Sequence, residues 1–140
     1  MTDIPSDIRD LFARFERASA DLDAAALEEV FAEHFLSCDP SGATPVSRDV
    51  LLRALPMRQQ LFASAGLGPA RLVRLDADEL DERHVLTRTA WAVPDRSGQD
   101  AVQLETTFLV RRTDSGPRVV LYLNHVDIAQ VVASRRGPER

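Results

Sequence analysis

The chain has 140 residues, 44% of them hydrophobic and 28% charged, with a formal net charge of −5. These values describe one globular domain able to bury a core of its own, and they exclude a disordered chain and an electrostatically driven binder of nucleic acid or anionic membrane. All 17 basic residues are arginine, so Schiff-base chemistry by a lysine is excluded as well.

Cys38 is the single cysteine, which rules out an internal disulfide and a multi-cysteine metal centre. It has no evident histidine base or basic neighbour in sequence, so a buried, inert thiol is expected. No apolar run reaches membrane-spanning length. The opening residues MTDIPSDIRD are acidic where a signal peptide is basic, so a cytoplasmic location is expected.

In chain order, Ile8, Leu11, Phe12 and Phe15 fall at the spacing of one buried helical stripe. A second helix is expected over Ala24 to His34, carrying Leu27, Val30 and Phe31, with Asp23 as its N-cap. His34, near the end of that helix, suits a helix C-terminus. The segment FLSCDPSGATP then reads as a connection. Ser47 is a candidate cap for a third helix bearing Val50, Leu51, Leu55, Leu61 and Phe62, with a kink or break expected at Pro56.

After the glycines of SAGLGPA the period changes to that of strands. Four are expected, over Ala70 to Ala77, His84 to Val93, Val102 to Arg111 and Val119 to Ile128. The turns DADELDE, PDRSGQD and RTDSGP separate them. The last dozen residues read as a polar tail beyond an ordered core of about 6–130. Helices first and strands after imply one α+β domain, with helices packed on one face of a mostly antiparallel sheet.

The turns also set a register. Hairpin geometry places Thr89 opposite Thr106, Trp91 opposite Leu104, Arg88 opposite Thr107, Thr106 opposite Asn124, Phe108 opposite Tyr122, and Glu105 opposite His125. Alternation along each strand then sorts the side chains into two faces. One carries Thr87, Thr89, Trp91, Leu104, Thr106, Phe108, Tyr122, Asn124 and Val126, and is assigned to the helices. Its polar belt of Thr89, Thr106 and Asn124 could orient the polar atoms of a small ligand.

The other face carries Leu86, Arg88, Glu105, Thr107, Leu109, Leu121, Leu123, His125 and Asp127. Its leucines would form an apolar patch on a wet surface, so a homodimer with sheets packed back to back is expected. Arg88, Glu105 and His125 would form a charge network there. Arg111, Arg112 and Arg118 cluster near one hairpin end and read as solvated.

Three stretches, RFERASADLDAAALEEVFAEHF, CDPSGATPVSRDVLLRAL and ETTFLVRRTDSGPRVVLYLNHVDI, carry an order of elements that resembles the nuclear transport factor 2-like cone. The resemblance extends to the SnoaL-like polyketide cyclases and ketosteroid isomerases of that fold, spans roughly residues 8–128, and implies three N-terminal helices packed on a curved, mostly antiparallel sheet that encloses a pocket. Asp39-Pro40 stands where those isomerases keep the acid-proline pair that serves as general base. The resemblance implies a carboxylate at the rim of an apolar cone, its pKa raised by partial burial, moving a proton beside a carbonyl.

The oxyanion donors of that family are absent: Phe15 replaces the tyrosine and Thr106 or Thr107 the protonated aspartate. The SnoaL-like group implies aldol-type cyclisation without cofactor or metal. Its late-strand polar residues would match His125 and Asp127, although the register points both outward.

Two classes of function follow. One is a cofactor-independent isomerase or cyclase acting on an apolar carbonyl compound, with Asp39 as base. Thr89, Thr106, Tyr122 and Asn124 would orient its substrate between walls of Phe15, Trp91 and Phe108. The other is a non-catalytic ligand-binding or dimerisation module, in which Asp39 simply starts a turn before proline. His34, His84 and His125 lack metal-ligand spacing, and there is no phosphate loop or nucleotide fingerprint, so no metal, cofactor or nucleic-acid partner is expected.

Overall fold

A computed structural model describes residues 3–136. Helix α1 (Ser6–Asp21) buries Ile8, Leu11, Phe12 and Phe15 as its spacing requires, with Asp7 in the first turn, where an anion favours the exposed N–H groups. The chain leaves α1 through Leu22, a non-glycine residue in the left-handed region at φ 53°. Asp23 then caps the short helix α2 (Ala24–Leu27), its carboxylate accepting from Ala26 N at 3.2 Å.

The helix expected to run to His34 ends instead at Leu27. Strand β1 (Phe31–Asp39) begins where the helix was to continue, and β2 (Gly42–Ser47) folds back on it as a hairpin. Pairing with the rest of the sheet overrides local helix preference: Val119 N donates to Val30 O at 2.8 Å and Phe31 lies opposite Val119. His34 therefore sits on a strand, its side chain 77% exposed, rather than at a helix end. The three helices do not precede the sheet as one group, because this hairpin separates α2 from α3 (Arg48–Ser64).

Ser47 caps α3, accepting from Val50 N at 3.3 Å. The helix continues through Pro56 without a break. Leu51, Leu55, Leu61 and Phe62 pack against the core, whereas Val50 is 50% exposed.

Strands β3 (Arg71–Glu79), β4 (His84–Pro94), β5 (Asp100–Thr113) and β6 (Gly116–Asn124) correspond to the four expected ones. The six-stranded sheet has the order β2-β1-β6-β5-β4-β3, antiparallel throughout except for the parallel pair β1–β6. The strand expected to reach Ile128 ends at Asn124, and helix α4 (Ile128–Arg136) occupies most of the expected polar tail. Val132 on α4 is buried in the core, which explains why this segment folds. The end of the tail, residues 137–140, lies outside the described residues. No helix among the described residues is long and apolar enough to cross a membrane.

The expected cross-strand pairs of β4, β5 and β6 are all present, from Trp91–Leu104 to Phe108–Tyr122, and His125 N donates to Glu105 O at 3.2 Å. Thr87, Thr89, Trp91, Leu104, Thr106, Phe108 and Tyr122 are buried beneath the helices. Where β3 bulges between Leu72 and Arg74, Glu16 of α1 accepts from Leu72 N at 2.6 Å and tethers helix to sheet.

Arg112 is not solvated with its neighbours. Its guanidinium clamps Asp7 at 2.8 and 3.3 Å and reaches Glu79 at 2.8 Å, joining α1 to β3 and β5. Hydrogen bonding from Arg112 holds the Asp7 carboxyl below its ordinary 3.8 and raises the pKa of Arg112. A depressed carboxyl pKa stabilises the fold above the ordinary value, and that contribution disappears as pH falls through the lower folded value. Asp7→Asn is therefore expected to lose about 0.5–1 kcal/mol near neutrality, and to lose less further stability than the native chain between pH 5 and the acid limb, in urea denaturation at stepped pH. Coincident stability curves for the two proteins would show that this clamp carries no free energy.

Candidate functional site

The inner sheet face, α3 and the ends of α1 and α4 line a half-open cavity of about 130 Å³. Phe15 and Leu22 come from α1 and its exit turn; Leu51, Leu55, Arg58 and Phe62 come from α3; Trp91, Leu104 and Tyr122 come from the sheet; and Ile128 begins α4. The lining is chiefly apolar, as small-molecule sites are, with a few polar groups among it.

Those polar groups sit mostly to one side. Thr106 Oγ1 donates to Asn124 Oδ1 at 3.2 Å, and Arg58 Nη1 donates to the Tyr122 hydroxyl at 3.4 Å. Arg58 also lies 6.0 Å from the centroid of Phe62, within cation–π range. Gln59 Nε2 donates to Ala20 O at 3.3 Å, fixing α3 against the end of α1.

Five residues singled out from sequence come together here: Phe15, Trp91, Thr106, Tyr122 and Asn124 all line the cavity. Two do not reach it. Phe108 and Thr89 are each 1% exposed and lie within the packed core. Thr89 supports the wall, accepting from Trp91 Nε1 at 2.8 Å while donating to Thr106 O at 2.9 Å. It thus fixes the tilt of the Trp91 ring and spends its own hydroxyl inside the sheet.

Asp39 stands apart from the cavity, at the tip of the β1–β2 hairpin opposite Gly42. Its Oδ1 accepts from Ser41 N at 2.8 Å and from Ser41 Oγ at 2.6 Å, as in an Asx turn. These bonds hold its carboxyl below the ordinary value of 3.8. The shift is opposite to the rise expected for a base at an apolar rim, because turn donors stabilise the anion and little surface is lost to water.

The outer face pairs differently from expectation. Strand β3 supplies partners for the charges of β4 and β5. Arg88 meets Asp78 at 3.1 Å, and Glu105 meets Arg74 at 3.7 Å across the small side chain of Ala90, while His125 Nε2 contacts Thr107 Oγ1 at 2.7 Å. The three-residue network of Arg88, Glu105 and His125 does not form. Cys38 is a half-buried free thiol on β1, and no cluster of three His, Cys, Asp or Glu side chains placed for a metal occurs among the described residues.

Arg58 and Gln59 escaped the sequence reading. The available signal was spacing: Leu51, Leu55, Arg58 and Phe62 follow one another at intervals of a helical face, so the arginine interrupts an apolar stripe.

No protein-family model matches the sequence, and no curated protein matches it. Solved structures do match. A protein of unknown function with a cystatin-like fold from Nostoc punctiforme aligns with TM-score 0.71 and 17% identity, covering 90% of this chain and 96% of that one. An NTF2-like protein with a cystatin-like fold from Novosphingobium aromaticivorans gives TM-score 0.70 and 19% identity over 90% of this chain and 86% of that one. A candidate aromatic ring hydroxylase from the same organism gives TM-score 0.65 and 20% identity, covering 89% and 92%. The chain therefore has the NTF2-like, cystatin-like α+β fold.

Replacing Thr89 by valine keeps the shape of the core but strands the Trp91 N–H. The expected outcome is a loss of about 1–3 kcal/mol in denaturant titration with a displaced emission maximum of Trp91, the single tryptophan. Thr89→Ser should restore both. An unchanged emission spectrum in the valine variant would mean that Thr89 does not orient the ring.

Proposed function

We propose that this protein is a binding module for a compact apolar small molecule held between α3 and the inner face of the sheet. The carrying observation is the cavity itself, about 130 Å³ walled by Phe15, Leu55, Trp91 and Leu104, with the polar atoms of Asn124, Tyr122 and Arg58 in its lining. An apolar cavity of about 150 Å³ accommodates a benzene ring in other proteins, which sets the scale of the ligand. The candidate aromatic ring hydroxylase gives this fold a neighbour named for aromatic chemistry.

Binding without turnover is favoured over isomerisation or cyclisation by the chemistry of the lining. Among the described residues that line the cavity there is no aspartate, glutamate, histidine or cysteine, hence no side chain suited to take a proton from carbon near neutrality. Asp39, the candidate base, is a turn-stabilised carboxylate elsewhere.

Trp91 is both cavity wall and sole tryptophan, so its fluorescence reports occupancy. Titration with acetophenone is expected to quench it saturably in the native protein and in Asp39→Asn, and Leu55→Phe, which fills the cavity, should weaken binding at least about tenfold. Linear quenching indifferent to the filling substitution would remove the binding reading. Turnover of a carbonyl compound abolished by Asp39→Asn would replace it with the catalytic one.

We further propose that the outer sheet face joins two copies of the chain. Leu86, Leu109, Leu121 and Leu36 stand in one row across β4, β5, β6 and β1, all half-buried, with Leu123 in the next row. A continuous apolar row with charges displaced toward β3 suits a twofold sheet-to-sheet contact. Sedimentation at micromolar concentration should give a dimer that Leu109→Glu converts to a folded monomer. A monomeric native protein would overturn this proposal.

A further inference from the structure

We propose that the ligand is a monocarboxylate, a compact aromatic or alicyclic acid, and that Arg58 binds its carboxylate; this deepens the binding reading above and rests on it. Arg58 is the one charged side chain among the described residues that line the cavity. Arg58 as a residue is half-buried, and among the described residues no carboxylate pairs with it. Arg71, Arg74, Arg88 and Arg112 all have such partners, at 2.8 to 3.7 Å.

A guanidinium presents five N–H donors in a planar fork. Here one of them makes a long 3.4 Å bond to the Tyr122 hydroxyl. A cation in a chiefly apolar lining that includes Leu55 and Phe62 favours an anion beside it. The chain carries an excess of acids, yet none is placed at this arginine among the described residues.

Neighbouring groups fit the same anion. When the Tyr122 hydroxyl accepts from Arg58, its own proton is free to donate. When Asn124 Oδ1 accepts from Thr106, the Asn124 amide retains two N–H donors. All three face one cavity whose remaining walls are apolar and aromatic, so a ring would rest against Phe15 and Trp91 with its acid at Arg58. A single fork balances one negative charge, so a carboxylate is matched here, whereas a doubly charged phosphate would leave one charge uncompensated among apolar walls.

The test compares benzoate with its neutral isostere benzamide by quenching of Trp91 and by calorimetry at pH 7. Benzoate should bind the native protein at least about tenfold more tightly, and Arg58→Gln should abolish that preference, weakening benzoate far more than benzamide. Arg58→Lys keeps the charge without the fork and should retain only part of the preference. Circular dichroism checks that each variant is folded, and the lysine variant decides the matter should the glutamine variant unfold.

Equal affinities of native protein for benzoate and benzamide would overturn the carboxylate and leave the cavity reading in place. Saturable binding of neither probe, nor of acetophenone, would overturn both. A preference for benzoate that survives intact in Arg58→Gln would overturn the assignment to this arginine.

Discussion

The aromatic ring of Phe15 is where the separate parts of this molecule meet. It packs edge-on against Phe31 of β1, Trp91 of β4 and Phe108 of β5, with centroid separations of 5.3, 5.6 and 5.6 Å. Edge-to-face contacts of this kind add about 0.5–1.5 kcal/mol each to the burial of the rings. Through them α1 is fixed against both the first strand and the centre of the sheet, and the cavity inherits a rigid wall. The position that a hydroxyl-bearing residue would occupy in an isomerase is thus taken by a structural keystone.

The polar belt on the inner face is compatible with such a core because most of its hydroxyls bond inward. Thr87 donates to Phe108 O at 3.0 Å and Thr89 to Thr106 O at 2.9 Å, both inside the sheet. Only toward β6 do the polar atoms of Thr106, Tyr122 and Asn124 open onto space. A row that is uniform in residue type therefore divides by position into a part that stiffens the sheet and a part that can meet a ligand. The division depends on how α1 and α3 lie over the strands.

This division marks what the sequence could and could not disclose. The registers of β4, β5 and β6 were legible because short turns fix them and alternation then assigns every side chain to a face. Five of the seven expected wall and belt residues reach the cavity for that reason. Strand β1 was not legible: Leu27, Val30 and Phe31 satisfy a helical period, and pairing with β2 and, at long range, with β6 makes the segment extended. Helix α4 was obscured by the polar residues around Val131 and Val132, whose burial depends on a core assembled elsewhere in the chain. Arg58 was hidden by its residue type, since an arginine on a helix is ordinarily read as solvated.

Asp39 shows how one residue pair can carry two opposite meanings. A base that removes a proton from carbon needs its anion poorly solvated, so that protonation is favourable. A turn carboxylate needs the reverse, an anion held by nearby donors, and Ser41 provides two of them. Moving Asp39 from one condition to the other would require breaking the turn that closes β1 onto β2, and β1 carries Phe31, which packs against Phe15 and lines the cavity. The hairpin that makes Asp39 a weaker base is thus also part of what builds the wall. Among the described residues that line it, the cavity has one cation and no carboxylate, and its shape is set by the packing of Phe15, Phe31 and Trp91.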